Sequence, residues 1–246
     1  MKMAKAESAP TGQIEWHGSP AFLPCVSSHA GLRAPEGRLG VARLQERTLA
    51  LGPGCRCVIW FQGCSLSCKG CIAATMNAAP PLLRTTPVRL ADWCLSNSQI
   101  DGITLSGGDP FDQPLDQLAD FLELIRARSC LSVLLYTGRT LDQLRGQHDH
   151  LIDRCLAAVD ILVDGPYIEA LNDGVGWRGS SNQVIHAIGP RAGDVVPGVM
   201  TRRRVELVVN TSGTVSFTGI PRRGLGAALA ERLERCSAKP EQEGSE

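Results

Sequence analysis

The sequence feature that most limits the possible folds and functions of this chain is a group of three cysteines. Cys64, Cys68 and Cys71 stand in CxxxCxxC spacing, directly after the apolar run Val58-Ile59-Trp60-Phe61. The spacing predicts a short loop in which three thiolates point at one centre. Structural zinc sites usually close with four ligands, whereas a site that does chemistry keeps one position open. Three thiolates would therefore hold a metal or cluster and leave one position for another ligand.

Taken alone, the cysteine loop is consistent with zinc, with an iron–sulfur electron carrier or with a catalytic cluster. Zinc would need a fourth Cys or His nearby, and His17 and His29 lie far upstream. A simple ferredoxin would supply four cysteines in close sequence runs. Cys57, on the preceding predicted strand, is interpreted as a small buried side chain rather than as the fourth ligand. The core is the place expected for four further cysteines, Cys94, Cys130, Cys155 and Cys236.

Composition limits the compartment and the partners. The 246-residue chain has 25 acidic and 25 basic residues, which gives no support to an electrostatic nucleic-acid binder. The N-terminus lacks the apolar region of a secretory signal, and no apolar run approaches the ~20 residues of a membrane span. We therefore expect a soluble, cytoplasmic protein without nucleic-acid or membrane partners. In a reducing compartment, ten cysteines favour metal binding or redox chemistry over disulfides.

Hydrophobic periodicity predicts strands alternating with helices from about residue 55 to 165, which is typical of a parallel sheet with crossover helices. A first edge strand is predicted within Gly40–Leu51, and helices begin after Thr86, Pro114 and Thr140. The other predicted elements are strands at Cys55–Phe61, Ile100–Leu105, Leu131–Tyr136 and Val159–Val163, a helix at Ile152–Ala158, a hairpin of Val205–Val209 with Thr214–Thr218, and a helix at Gly224–Cys236.

The polar motifs follow the ends of these predicted strands. In parallel sheets, function lies at the carboxyl ends of the strands, so independent motifs there should converge on one site. The motifs are the cysteine loop, Ser106-Gly107-Gly108-Asp109, Tyr136-Thr137-Gly138 and Asp164-Gly165. Residues 1–36 are expected to be a flexible arm, residues 37–190 the core domain, and residues 191–246 a hairpin, a helix and a disordered tail.

The cysteine triplet followed by Gly107-Gly108-Asp109 resembles the radical S-adenosylmethionine (SAM) enzymes. This resemblance implies an incomplete (β/α) barrel of the radical SAM type with a small C-terminal hairpin-plus-helix appendage. It also implies a [4Fe-4S] cluster on Cys64, Cys68 and Cys71 whose unique iron binds SAM. Asp109 would accept a hydrogen bond from the SAM amino group, since an ammonium needs a close carboxylate partner.

Further stretches are similar to one subgroup, the anaerobic ribonucleotide reductase activating enzymes. They are Gly52-Pro53-Gly54-x-Arg56, Leu105–Pro110, Tyr136-Thr137-Gly138, Leu162–Gly165 and Trp177–His186, with Gly70 in place of an aromatic residue before the third cysteine. The resemblance covers roughly residues 40 to 187. The cofactor-binding residues that it implies are Ser106, Gly107, Gly108, Asp109, Tyr136, Thr137, Asp164, Arg178 and Asn182, although the loop that carries Arg178 and Asn182 could equally tie the end of the barrel.

The resemblance implies a reaction. An external electron donor, flavodoxin- or ferredoxin-like, would reduce the cluster, and SAM would be cleaved to methionine and a 5'-deoxyadenosyl radical that abstracts hydrogen from a substrate carbon. The default target is the glycine of a large glycyl-radical reductase. The alternatives are the same chemistry directly on a small molecule, sugar or peptide, for example an epimerisation, and a non-catalytic iron–sulfur or zinc module.

Overall fold

A computed structural model describes residues 38–78, 81, 83–193, 203–209 and 215–237 of the chain. The predicted N-terminal arm, residues 1–36, and the predicted tail after the last helix lie outside these residues. Among the described residues, no helix is both long enough and apolar enough to cross a membrane. The structure therefore bears on the predicted core and on most of the C-terminal hairpin and helix.

Seven strands form one mixed sheet. Its strand order is β3-β1-β2-β4-β5-β6-β7. Strands β2, β4, β5 and β6 are parallel, and β1, β3 and β7 run antiparallel to their neighbours. The bounds are β1 Leu39–Thr48, β2 Arg56–Phe61, β3 Leu83–Thr85, β4 Gly102–Gly107, β5 Ser132–Tyr136, β6 Ile161–Asp164 and β7 Val184–Ala187.

The sheet corrects one expectation about its margin. The strand predicted within Gly40–Leu51 forms as β1, but it is not an edge strand, because β3 pairs with its outer side through Leu39 and Thr85. Within the described ranges the sheet ends in β3 on one side and β7 on the other, and it does not close on itself. The observed fold is a mixed α/β sheet with a central parallel part.

In the part of the chain that the structure describes, six α-helices accompany the sheet, and a separate hairpin lies near the C-terminus. Thr86 caps the second helix by accepting from Arg89 N, and Thr140 forms a capping box with Gln143 at the fourth. The bounds are α1 Thr75–Ala78, α2 Pro87–Ser96, α3 Leu115–Arg128, α4 Leu141–Arg145, α5 His150–Ala157, β8 Val205–Val209, β9 Val215–Gly219 and α6 Leu225–Ser237. The predicted helices and hairpin are thus present, with ends shifted by a few residues.

Both faces of the central strands are buried. On β2, Ile59 and Phe61 join the large core that includes Leu118 and Phe121 of α3. Val58 and Trp60, which alternate with them along the strand, belong to a second cluster with Leu51 on the opposite face. Strand side chains alternate between faces, so burial on both sides explains why these strands read as continuous apolar runs.

Arg56 fastens the amino ends of three neighbouring strands. Its side chain is fully buried and donates to Thr104 Oγ1 at 2.8 Å, to the Ile103 carbonyl at 2.7 Å and to the Ser132 carbonyl at 2.8 Å. Burial lowers the pKa of Arg56 to about 10. The Gly52-Pro53-Gly54-x-Arg56 motif therefore has a structural role at the end of the sheet opposite the cysteine loop.

Candidate active site

The cysteine loop leaves the carboxyl end of β2. Gly63 adopts a left-handed conformation, with φ of 100°, and donates its N–H to the Met76 carbonyl at 2.7 Å. The side chain of Gln62 donates to the same carbonyl at 2.8 Å, and that of Gln113 donates to the Gln62 carbonyl at 2.9 Å. These bonds fix the position of the loop where it leaves β2 and where it returns near Met76, so the backbone that carries the thiols is held in place.

The three predicted ligands share one cavity. Cys64, Cys68 and Cys71 are free thiols, each partly buried, and all three line a cavity of about 550 Å³. Burial raises the pKa of Cys71, and the negative charges of Cys68 and Cys64 raise it further. Among the residues that the structure describes, no three Cys, His, Asp or Glu side chains are grouped closely enough to hold a single metal ion. The thiols thus face common space without forming a compact one-ion site.

The turn after β4 touches the cysteine loop directly. Gly107 has a φ of 89°, and Gly108 donates to the Phe61 carbonyl at 2.8 Å. A Cβ atom at position 108 would lie only 2.0 Å from the Gly63 carbonyl oxygen. Glycine is therefore required at 108 for the two backbones to pack this closely, which brings the turn to the rim that carries the thiols.

The carboxylate of Asp109 is buried and already has several partners. It accepts from Phe111 N at 2.9 Å, from Thr137 Oγ1 at 2.9 and 3.1 Å to its two oxygens, and from Gly138 N at 3.0 Å. Arg139 Nη1 lies 3.1 Å away. Burial raises the pKa of Asp109 and outweighs the opposing effect of Arg139. This carboxylate joins the turn to the end of β5, and its predicted hydrogen bond to SAM stays a prediction.

A second carboxylate, which the sequence analysis missed, holds the cysteine loop itself. Asp112 accepts from Ser65 N at 2.6 Å and from Ser65 Oγ at 3.1 Å. Arg139 Nη2 donates to Asp112 Oδ1 at 2.5 Å. Burial tends to raise the pKa of Asp112, but hydrogen bonds from Ser65 and Arg139 outweigh it and lower the pKa. Arg139 therefore bridges Asp109 and Asp112, so one cation connects the Gly-Gly-Asp turn to the loop.

Nine of the predicted site residues line the cavity. They are Cys64, Cys68, Cys71, Ser106, Gly107, Gly108, Asp109, Tyr136 and Thr137. The Tyr136 hydroxyl donates to the Trp177 carbonyl at 2.8 Å, and burial raises the pKa of Tyr136. The convergence of motifs from three strand ends on one cavity is as expected for a parallel sheet.

Three predicted residues lie outside the cavity lining. Asp164 accepts from Leu141 N at 2.6 Å and lies 3.0 Å from His186 Nε2. Arg178 pairs with Asp173 at 2.7 Å, and the Asn182 side chain donates to the Pro166 carbonyl at 2.7 Å. The structure gives each of them a contact that ties loops together. Their cofactor-binding role stays a prediction.

The remaining cysteines divide between core and surface. Cys57, Cys94 and Cys155 are buried, as predicted. Cys130 is exposed, which corrects its expected place in the core, because it lies in the short connection between α3 and β5 rather than in either element. The side chain of Cys236 lies outside the described part of the structure.

Sequence reasoning also missed one wall of the cavity. Residues Ile220, Pro221, Arg222, Arg223 and Leu225 line it, from the connection between β9 and α6. The adjacent Arg222 and Arg223 predict only a solvated turn or strand flank, since they form no part of a long basic stripe, and hairpin and helix patterns do not indicate which surface they cover. Tyr167, Glu169 and Asn172, from the loop after β6, complete this side.

Comparison with known proteins agrees with this geometry. Residues 50–186, more than half of the chain, match the family described as 4Fe-4S single cluster domain. The chain belongs to this family. Its relatives include the anaerobic ribonucleoside-triphosphate reductase-activating proteins of Escherichia coli K12 and Enterobacteria phage T4. The first is 33% identical over 143 residues, 55% of this chain and 90% of that protein. The second is 36% identical over 137 residues, 54% of this chain and 83% of that protein.

These relatives confirm the predicted activating-enzyme subgroup and identify the chain as an enzyme, and the family match identifies its iron–sulfur domain. A third relative, the activating protein of Vibrio cholerae, is 35% identical over 144 residues, 55% of this chain and 89% of that protein. The family match ends at residue 186, before the hairpin and α6. The cavity therefore combines a family part with a wall from outside the family match.

Proposed function

We propose that this protein is a radical SAM enzyme that activates a glycyl-radical reductase. The observation that carries the proposal is the convergence of three free thiols and the Gly-Gly-Asp turn on one cavity, in a chain related to reductase-activating proteins. Three thiolates suit a [4Fe-4S] cluster with one iron left free, and the cationic iron core would relieve the mutual repulsion that acts on Cys71. When bound, the cluster and SAM would supply reductive cleavage to methionine and a 5'-deoxyadenosyl radical.

The chain's own residues would bind, orient and shield these groups. Cys64, Cys68 and Cys71 would hold the cluster, and the absence of a side chain at Gly108 lets the Gly-Gly-Asp turn pack beside them. Asp109 would order this turn and, in the predicted role, accept from the SAM amino group. The apolar residues of the cavity wall would exclude water from a reactive radical. This division leaves the redox chemistry to the cofactors and the geometry to the protein.

The partners follow from the relatives. Activating proteins act on a large reductase, so we propose such a reductase as the substrate, with a flavodoxin- or ferredoxin-like protein as the electron donor. The sheet would be the open form of a (β/α) barrel, with residues 37–190 as the catalytic domain and residues 191–246 as the appendage. The free thiols suit a reducing compartment, and we place the protein in the cytoplasm.

A second candidate function has one specific observation in its favour. The wall formed by Ile220–Leu225 comes from outside the stretch that the family match covers. A wall of this kind would suit the same radical chemistry directly on a small molecule, a sugar or a peptide. It does not change the expected use of the cysteines, so the two candidates differ only in what is oxidised.

Anaerobic reconstitution tests both candidates. The full-length protein is reconstituted with iron and sulfide, and SAM and dithionite are added with a candidate reductase. We expect 5'-deoxyadenosine and a glycyl EPR signal on the reductase. Turnover of a small molecule without that signal would favour the second candidate. Tightly bound zinc without iron or sulfide, or a stable cluster that does not cleave SAM, would contradict radical chemistry altogether.

A further inference from the structure

The C-terminal segment, residues 203–209 and 215–237, is attached to the sheet domain at two places. On β1, Glu206 accepts from Thr48 Oγ1 and from Leu49 N, both at 2.6 Å, and Thr218 donates to Gln45 Oε1 at 2.6 Å. These contacts fasten the β8–β9 hairpin to the sheet. The chain that follows the hairpin therefore starts from a fixed position.

The second attachment lies beside the cavity. Arg203 is inserted into the loop after β6, where its side chain donates to Asn172 Oδ1 at 2.8 Å and to the carbonyls of Gly176 and Arg178. It also donates to the Pro221 carbonyl at 3.2 Å, and so it holds the start of the connection to α6. Residues 220–225 are thereby placed along the cavity that the three cysteines line.

Two guanidinium groups in this connection have no partner within the described part of the chain. Arg222 and Arg223 line the cavity, both are exposed, and neither side chain forms a hydrogen bond or ion pair with any residue that the structure describes. The other arginine near the cysteines, Arg139, is committed to Asp109 and Asp112. Besides Asp109, Glu169 is the acidic residue among the described residues that line the cavity. One carboxylate is thus available to balance the two guanidinium groups of Arg222 and Arg223. This wall of the cavity has an excess of positive charge.

We propose that Arg222 and Arg223 form a subsite for an anionic group, a carboxylate or a phosphate, of the substrate. This inference rests on the proposed radical chemistry and adds a substrate class to it. Guanidinium groups bind carboxylates and phosphates through paired, charge-assisted hydrogen bonds, and the walls beside them are largely apolar. The substrate would thus bring an apolar or neutral part towards the cysteines and a negative charge to the connection between β9 and α6. The family match ends before this subsite, so it is a feature of this chain's added segment.

The test compares two double variants of the reconstituted full-length protein. R222E/R223E reverses the charge of the subsite. R204E/R232E makes the same change of charge at two exposed arginines that do not line the cavity. The probes are inorganic pyrophosphate for the phosphate source and citrate for the carboxylate source, with affinity measured by calorimetry. We expect at least one probe to bind the wild type and R204E/R232E equally and R222E/R223E at least about tenfold more weakly. Equal affinity in all three proteins would overturn the subsite.

A SAM titration separates the substrate from the cofactor, because SAM itself carries a carboxylate. We expect R222E/R223E to bind SAM within about twofold of the wild type, since its change is confined to the substrate's subsite. A selective loss of SAM affinity of about tenfold in R222E/R223E would reassign the two arginines to the cofactor and overturn the substrate inference. Failure of all three proteins to cleave SAM while the probe affinities differ as expected would contradict the radical function and leave the anion subsite standing.

Discussion

The cysteine-bearing core and the C-terminal segment are built differently. Every residue of β2, which leads into the cysteine loop, is buried, whereas Val208 and Val209 of β8 are 60% and 66% exposed. The core is held by apolar packing on both faces of a sheet, and the segment is attached mainly by polar contacts of Arg203, Glu206 and Thr218, with Ile220 packed against the second cluster. The comparison suggests a division of labour for the proposed function, in which the chemistry would lie on the buried sheet and selectivity on the more exposed segment.

The sharpest way to break this comparison is to remove a thiol from the core. In Cys68→Ala we expect iron and sulfide content to fall and 5'-deoxyadenosine formation to drop at least about 100-fold, because two thiolates cannot hold the cluster. Iron assay and product quantification measure the effect. Cys130→Ala is the matched control, since Cys130 is exposed outside the cavity. Normal 5'-deoxyadenosine formation by Cys68→Ala would refute the cluster assignment.

The contact between the two glycines is the next most sensitive point of the core. In Gly108→Ala the new methyl group meets the Gly63 carbonyl, so we expect the free energy of unfolding to fall by about 3 kcal/mol and cluster loading to fall roughly fivefold. Gly63→Ala tests the same contact from its open side. A methyl group there meets nothing within 4 Å, and only the left-handed backbone costs about 1 kcal/mol. Equal losses in the two variants would contradict this packing.

Arg139 is the third test, because it joins the Gly-Gly-Asp turn to the cysteine loop. Arg139→Met leaves Asp109 and Asp112 without their shared cation, and we expect the free energy of unfolding to fall by about 2 kcal/mol. Urea unfolding of the metal-free, reduced protein measures this change. The control is Arg128→Met, which removes an exposed pair with Asp92 and should cost less than about 0.5 kcal/mol. An equal loss of unfolding free energy in the two variants would mean that the bridge from Arg139 to Asp109 and Asp112 does not stabilise the fold.

The smallest effect is expected in the segment. In Glu206→Gln the charge that accepts from Thr48 and Leu49 is lost, and we expect amide hydrogen exchange in β8 and β9 to become about threefold to tenfold faster. Exchange in β2 and β4 should stay unchanged. Glu231→Gln, in an exposed pair with Arg235, is the control. A uniform acceleration that includes β2 would mean that the core and the segment unfold as one unit.

The sequence predicted the part of the fold that periodicity controls. The four parallel strands, the caps at Thr86 and Thr140 and the hairpin were all visible, because burial and capping leave local patterns. Strand β3 was missed, since a strand of three residues is too short to show a period, and this omission made β1 look like an edge. Local sequence patterns thus predicted the helices and most strands, whereas the strand pairing at the edge of the sheet became visible only in the three-dimensional structure.

The site divides in the same way. Residues that directly follow strands, such as Cys64 and Asp109, were predicted because the carboxyl ends of parallel strands share one edge of the sheet. Arg139 lies in an irregular connection and Asp112 ends a three-residue 3-10 helix, and in such short segments a charged residue has no period and its partner is set only by tertiary contact. The arginines of the connection before α6 were predicted to lie in a solvated turn or strand flank, and their place in the cavity was not predicted for a further reason. Their place depends on how a separate hairpin docks, and no local signal reports that.

The position of Arg56 bears on how relatives of this protein should be classified. Its hydrogen bonds close the amino ends of β2, β4 and β5, far along the strands from the thiols. The Gly52-Pro53-Gly54-x-Arg56 motif is consequently evidence that a relative has this fold, and it is not evidence that the relative catalyses the reaction. A relative that kept this motif but lost its cysteines would be expected to fold and to be inert, so a survey of the family should score the two motifs separately to distinguish enzymes from pseudoenzymes.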